Sequence, residues 1–301
     1  MYFWAVCIGS CRNGCRVMKK RKTVEEIIEK KKCHQKITML TAYDYPTGLM
    51  ADQAGIDIVL VGDSLANVVL GLNSTTEVGM EEMLHHTKAV NRAVEQAMLV
   101  GDMPYESYQS NISASVGNAK RFMEEAGCDA VKLEWFDQCL DVVKAIREAD
   151  VPVMGHVGLT PQTAEKLGGF KVQGKDADSA RAIIENTKAL QTAGCFAIVF
   201  ECIPAPIAEI ISQELSIPTI GIGAGPLCDG QVLVIHDILG MFDKFRPKFV
   251  KRYGDLGKAA QECIIQYKND VESGTFPADD QSYHMNKEEL KHLRSEYGIG
   301  L

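Results

Sequence analysis

The sequence predicts a (β/α)8 TIM barrel, and three observations lead there. Eight short apolar runs recur between about residues 36 and 236, separated mostly by helix-sized amphipathic stretches. Most of these runs stop on a residue able to do chemistry: Asp44, Asp63, Asp102, Glu134, His156, Glu201 and Asp237. An Ala-Gly pair recurs at 54–55, 126–127 and 193–194, the phrase expected where a glycine turns a helix into the next strand. In such a barrel the carboxyl ends of the strands form the active-site face, so residues distant in sequence meet in one pocket.

Taken in order, residues 19–35 are basic and helix-prone, with Val24, Ile27 and Ile28 on one stripe, and read as a helix capping the bottom of the barrel. Strands are predicted at 37–41, 58–61, 98–101, 130–133, 153–155, 197–200, 219–222 and 232–235. Helices at 81–96, 113–126, 141–148 and 177–193 supply crossovers that parallel neighbours require. Two more helices, 256–272 and 287–297, follow the last strand. The expected organisation is a single barrel domain over 18–284 and a helical tail over 285–301. Residues 1–17 read as a disordered extension or a start-site artefact, with Met18 as the functional start; they lack the basic-then-apolar order of a secretory signal.

Composition narrows the function. The formal charge of −8 argues against nucleic acid or an anionic membrane as the main partner. An anionic substrate stays compatible, because one lysine or metal ion can reverse the field of a pocket. No apolar stretch reaches the roughly 18 residues of a membrane span. None of the ten cysteines forms a CxxC pair, so reduced thiols in a cytoplasmic protein are expected rather than a zinc site or a disulfide framework.

The chemistry-bearing residues follow a pattern. Asp63 in Val-Gly-Asp-Ser-Leu and Asp102 in Val-Gly-Asp-Met-Pro end consecutive strands, which sets two carboxylates side by side. Either alone reads as a helix cap. The matched pair reads as an all-oxygen site suited to Mg²⁺, since like charges so close need a cation. In Val131-Lys-Leu-Glu134, alternation puts Lys132 and Glu134 on one face and the apolar pair on the other. A buried lysine and glutamate need partners, either each other at the barrel mouth or a metal and an anionic substrate. Glu201 closes the most hydrophobic run, and a general base or a capped, salt-bridged glutamate fits it equally. His156 reads singly as a buried histidine, with proton shuttle and substrate donor as alternatives. The glycines of Ile220-Gly-Ile-Gly-Ala-Gly225 match no nucleotide fingerprint and serve a tight turn or a close backbone approach. His85-His86 has no metal-spaced partner.

The ordered motifs resemble one family. They are Thr41-Ala-Tyr-Asp-Tyr45, Leu60-Val-Gly-Asp-Ser-Leu65, Gly101-Asp-Met-Pro104, Val131-Lys-Leu-Glu134, Gly155-His-Val-Gly-Leu-Thr-Pro-Gln162, Gly168-Gly-Phe-Lys-Val-Gln-Gly174, Glu201-Cys202, the glycine run to Gly225, and Asp229-Gly-Gln231. Over about residues 22–284 they resemble the ketopantoate hydroxymethyltransferases, barrels of the phosphoenolpyruvate/pyruvate group. The resemblance implies hydroxymethyl transfer from 5,10-methylenetetrahydrofolate to 3-methyl-2-oxobutanoate in pantothenate synthesis, with Mg²⁺, in a cytoplasmic homodecamer. It further implies Asp63, Asp102 and Glu134 at the metal, Asp63, Ser64, Asp102 and Lys132 on the 2-oxoacid, and Glu201 as proton acceptor. Ala66, where many members have Gly, and His85, where Tyr is common, depart from the pattern without touching the metal motif. Two rivals are a sister lyase or mutase and a ketoacid-binding barrel without catalysis. The first would carry a lyase-type loop, often with Cys, which is missing here; the second leaves the joint presence of lysine, base and three carboxylates unexplained.

Overall fold

The computed structural model describes residues 20–163, 169 and 171–299, so the expectations for residues 1–17 lie outside the described residues. Eight parallel strands close into a barrel in the order β1 to β8. They are β1 (Ile37–Thr41), β2 (Ile58–Val61), β3 (Met98–Asp102), β4 (Ala130–Lys132), β5 (Val153–Gly158), β6 (Ala197–Glu201), β7 (Thr219–Ile222) and β8 (Gly230–Leu233). The helices are α1 (Val24–Lys32), α2 (Tyr45–Gln53), α3 (Leu65–Val68), α4 (Met80–Ala93), α5 (Ile112–Glu124), α6 (Cys139–Glu148), α7 (Ala177–Ala193), α8 (Ala205–Glu214), α9 (Ile235–Leu239), α10 (Leu256–Ser273) and α11 (Lys287–Glu296). The chain divides into two compact units. One holds the described residues up to Asp237 together with 246–251, and the other holds 238–245 and the residues from Arg252 onward.

The (β/α)8 barrel is therefore as expected, with informative differences at strand ends. β3, β5 and β6 run on to Asp102, Gly158 and Glu201, past the last apolar residue. Backbone pairing is indifferent to side-chain polarity, and the ladder continues through Asp102↔Lys132 and Gly158↔Glu201. β8 begins at Gly230 rather than Val232, because Gly230 pairs with Ile37, where a Cβ would stand 2.5 Å from the Ile37 carbonyl oxygen. Residues 234–235 leave the sheet; Ile235 N–H donates instead to Thr41 Oγ1 (3.0 Å) as α9 begins. The three Ala-Gly phrases end helices as predicted, with φ of +76°, +71° and +104° at Gly55, Gly127 and Gly194.

The barrel interior shows how a strand positions a functional side chain. Ile37, Met39, Ile58, Leu60, Met98, Val100, Ala130, Met154, Ala197, Val199, Ile220 and Val232 form one buried cluster inside it. Continuing the alternation by two residues beyond Val100, Ala130, Met154 and Val199 leads to Asp102, Lys132, His156 and Glu201. Each of these strands thus changes from apolar to charged along one face. Ile27 of α1 joins the same cluster, and Val24 and Ile28 pack against it, as the capping role for this helix requires.

Three aspartates fasten the opposite end of the barrel. Asp57 accepts from Thr38 N–H (2.8 Å), Asp129 from Leu99 N–H (2.7 Å) and Asp229 from Thr219 N–H (2.8 Å). Each also meets a cation from the segment around α1: Lys30 at 2.5 Å, Arg21 at 3.3 Å and Lys31 at 2.8 Å. One carboxylate per joint thus satisfies the first or second N–H of a strand and anchors the segment around α1, a stabilising role suited to this face.

Candidate active site

The opposite, carboxyl end of the barrel gathers the predicted residues. Asp63, Asp102, Lys132, Glu134 and His156 are all buried. Lys132 Nζ donates to both oxygens of Asp102, at 2.7 and 2.9 Å. Asp63 backbone N–H donates to Asp102 Oδ2 at 3.2 Å, so the two Gly-Asp phrases do bring their aspartates together. Neither side chain caps a helix in the way Asp44 does, whose Oδ1 accepts from Thr47 N–H at 2.8 Å. Ser64 stands at the N-terminus of α3 without capping it, and its Oγ pairs with Tyr43 Oη at 2.7 Å.

Glu134 lies two residues past Lys132 on the same face. His156 sits between two carboxylates, with Nδ1 3.4 Å from Glu134 Oε1 and Nε2 3.4 Å from Glu201 Oε2. Neither approach satisfies hydrogen-bond geometry, and Glu134 Oε1 has no hydrogen-bond partner. Burial and the nearby Lys132 draw the His156 pKa down, but the flanking glutamates outweigh them and push it up to about 9. Glu201 is the most open member: its side chain keeps 16% of its surface, against 2% for His156. It can therefore meet a ligand from the mouth of the barrel while touching the buried histidine.

Backbone chemistry holds Glu201 in place. Gly158, at φ +98°, ends β5 so close to β6 that a Cβ would lie 2.2 Å from the Glu201 carbonyl oxygen. That carbonyl accepts from Leu159 N–H at 2.8 Å. Cys202, next in the chain, adopts φ +48°, uncommon for a residue with a side chain. Its N–H donates to Ile222 O and its carbonyl accepts from Gln173 N–H, both at 2.9 Å, which fixes the bend on both sides. The glycine run after β7 turns tightly against neighbours. A Cβ on Gly223 would stand 2.7 Å from the Phe249 ring, and one on Gly225 2.4 Å from Ala205 Cβ.

The electrostatics are those of an acidic cluster short of positive charge. Burial and then the adjacent Asp102 hold the Asp63 carboxyl well above the usual carboxylate range, more than Lys132 and Gln162 can offset. Burial draws the Lys132 pKa down, yet Asp102, Glu134 and Asp63 together raise it above that of an ordinary lysine, so it is a permanent cation. Among the described residues no group of three or more His, Cys, Asp or Glu side chains stands ready-made around a metal position. Lys132 instead occupies Asp102.

A family model described as ketopantoate hydroxymethyltransferase matches residues 21–279. The chain belongs to that family. Similar relatives include the 3-methyl-2-oxobutanoate hydroxymethyltransferase of Syntrophomonas wolfei, 53% identical over 91% of this chain and 99% of the relative. The same-named protein of Carboxydothermus hydrogenoformans is 51% identical over 91% and 99%. Solved structures of similar shape include phosphonopyruvate hydrolase in complex with oxalate and Mg²⁺ (TM-score 0.56, 14% identity, 92% of this chain and 97% of that one). Another is 2,3-dimethylmalate lyase, a member of the PEP mutase/isocitrate lyase superfamily (TM-score 0.56, 12% identity, 92% and 99%). At such identity the likeness is one of fold alone, and it agrees with the closed (β/α)8 barrel.

Within this ketopantoate hydroxymethyltransferase family member, sequence reasoning overlooked two buried residues that touch the site, Gln162 and Tyr108. Gln162 Nε2 donates to Asp63 Oδ2 at 2.8 Å, and Tyr108 Oη donates to Gln162 Oε1. Gln162 lies beyond β5 in a short 3-10 turn, where no alternation marks a side chain as inward-facing. His86, which the sequence left without a metal partner, uses Nδ1 to meet the Tyr43 carbonyl at 2.6 Å.

Proposed function

We propose that this chain uses the one-carbon unit of 5,10-methylenetetrahydrofolate and one water to hydroxymethylate 3-methyl-2-oxobutanoate, releasing 2-dehydropantoate and tetrahydrofolate. The observation that carries the reading is the buried cluster Asp63–Asp102–Lys132–Glu134–His156–Glu201 at the barrel's carboxyl end in a member of this family. The donor set fits a divalent cation. Asp63 is strained by the like charge of Asp102, and Glu134 Oε1 is buried without a hydrogen-bond partner. An added cation relieves both, and hard carboxylate oxygens suit Mg²⁺. Asp63, Asp102 and Glu134 are the residues that would hold it.

When bound, Mg²⁺ supplies Lewis acidity to the ketone and carboxylate oxygens of the 2-oxoacid, which acidifies the hydrogen on C3. The residues of the chain divide the remaining work. Ser64, beside Asp63, and Lys132 bind the oxoacid, with Lys132 placing fixed positive charge where the ketone oxygen gains electron density. Glu201 accepts the C3 proton. His156, wedged between Glu134 and Glu201, orients that carboxylate toward the pocket and carries the charge that balances it. The C3 carbon then bonds to the one-carbon unit as both carbon–nitrogen bonds to the folate break; water supplies the hydroxyl group and one proton, the proton taken by Glu201 supplies the other, and tetrahydrofolate leaves. Loss of the C3 proton signal of 3-methyl-2-oxobutanoate in D₂O tests the first half. We expect exchange to require both protein and Mg²⁺, and 2-dehydropantoate to form once tetrahydrofolate and formaldehyde are added. Absence of both from metal-loaded, folded protein would return the assignment to the sister lyases or to a binding-only barrel.

The reading extends to assembly and location. α10 and α11 bury no residue, and α10 leaves Ile264, Ile265, Tyr267 and Val271 on the surface. Exposed apolar side chains so close together support burial against further copies of the chain, and a homodecamer is the assembly we propose. Light scattering at micromolar concentration is expected to give a particle several-fold heavier than 33.1 kDa; a stable monomer would defeat this. All seven described cysteines are free thiols, which supports a cytoplasmic setting. No helix among the described residues is long and apolar enough to cross a membrane.

A further inference from the structure

Four loops meet at Gln162. Its side-chain nitrogen donates to Asp63 Oδ2 (2.8 Å), after β2, and to the Met103 carbonyl (3.1 Å), after β3. Its backbone N–H donates to Glu134 Oε2 (3.1 Å), after β4, while the residue itself follows β5. Its side-chain oxygen accepts from Tyr108 Oη. Both amide hydrogens and the amide oxygen are thus in use, in a residue only 5% exposed. Tyr108 is 1% exposed and leans on Phe136, with ring centroids 5.4 Å apart.

The bonds also fix which way the amide faces. Turned over, Gln162 would aim its oxygen at the Asp63 carboxylate and its nitrogen at the Tyr108 hydroxyl, exchanging a charge-assisted bond for a repulsion. The Asp63 carboxylate and the Met103 carbonyl, both acceptors only, set that orientation, and Tyr108 Oη completes it by donating to the amide oxygen. Because Gln162 reaches Asp63 through the side chain and Glu134 through the backbone, one residue sets the spacing of two carboxylates that no other bond connects directly. Lys132 grips Asp102 alone among the three.

We propose that Gln162, backed by Tyr108, is a positioning residue that pre-sets Asp63 and Glu134 for a divalent cation. This rests on the reading that these carboxylates hold such an ion. The clamp needs no ligand to form, so its effect belongs to the resting protein. It touches neither the proton acceptor nor Lys132, so it governs capture of metal and oxoacid rather than proton transfer. Gln162→Leu keeps an uncharged, forked side chain one bond shorter and removes all three side-chain hydrogen bonds. Tyr108→Phe removes only the bond to the amide oxygen.

The test is Mn²⁺ binding to the full chain without substrate, read from the free-ion electron paramagnetic resonance signal, followed by KM and kcat for the oxoacid. Gln162→Leu is expected to weaken Mn²⁺ about 10- to 100-fold, the range typical of residues that hold metal ligands. KM for the oxoacid should rise more than kcat falls. Tyr108→Phe should move both quantities in the same direction by a smaller factor. Mn²⁺ affinity within twofold of wild type in folded Gln162→Leu overturns the clamp. If Gln162→Leu does not fold, Tyr108→Phe decides, and wild-type affinity in it overturns the proposal equally. Wild-type protein that fails to take up Mn²⁺ at all refutes the metal reading itself, a result distinct from an intact site indifferent to Gln162.

Discussion

Glu201→Gln is expected to cut kcat by about 10²- to 10⁴-fold, the usual contribution of a positioned general base. The amide keeps the size of the side chain and one oxygen for His156, so the pocket should still bind oxoacid and metal. Metal-dependent C3 proton exchange should fall in the same proportion as turnover, because both begin with the same proton. The geometry makes the prediction sharp. Glu201 is the member of the cluster with open surface, while its contact with His156 and the bond from Leu159 to its carbonyl hold it at the end of β6. A variant with full exchange and full turnover would remove Glu201 from the reaction and leave it a structural partner of His156.

Lys132→Met should be damaging in two separable ways. Lys132 lies 5% exposed beside an Asp102 side chain 2% exposed, donating to both carboxylate oxygens. Removing one member of a buried pair leaves the other uncompensated, which costs roughly 3–5 kcal/mol. Here Asp63 and Glu134 stand by with the same sign of charge, so the loss should fall at the upper end. A urea melt of the metal-free variant against wild type measures it. Divalent cation should then restore more stability to the variant than to the wild type, since it replaces the missing charge. Turnover should stay low, by about 10²- to 10³-fold, because a cation on the carboxylates does not supply the donor that the proposed reaction assigns to Lys132. A metal-free variant melting with the wild type would mean the ion pair contributes nothing net.

Much of the site was legible because a strand has a two-residue period. Met98-Val100-Asp102, Ala130-Lys132-Glu134, Met154-His156 and Val199-Glu201 are single columns whose chemistry changes as they leave the core. Asp63 falls outside that period, one residue past the column Ile58-Leu60-Gly62; only its Gly-Asp phrase, repeated at Asp102, marked it. Gln162 and Tyr108 carry no such mark, since each lies in a turn where the direction of a side chain is set by tertiary contacts. Asp57 and Asp129 were equally hidden, and Asp229 stood out only through the motif Asp229-Gly-Gln231, with no role attached. What they do depends on a neighbouring strand and on α1, which lie up to 198 residues away along the chain. The eighth strand was misplaced by two residues for a related reason: Gly230 and Gln231 show no apolar pattern, and closure of the barrel puts them into the ladder.

The buried thiols have a use of their own. Cys128, Cys139, Cys195 and Cys228 sit at the joints that lead into β4, α6, β6 and β8, and burial raises the pKa of each, to about 11 for Cys139 and Cys228. A thiol in that state reacts with a soluble reagent only when its surroundings open. Cys33 and Cys263 are exposed and react first. Once the accessible thiols, half-buried Cys202 among them, are blocked, the rates of the four buried ones record how often the barrel opens around each, on a free-energy scale from local fraying to global unfolding. The stretch of barrel from β4 to β8 thus carries four internal clocks without any substitution.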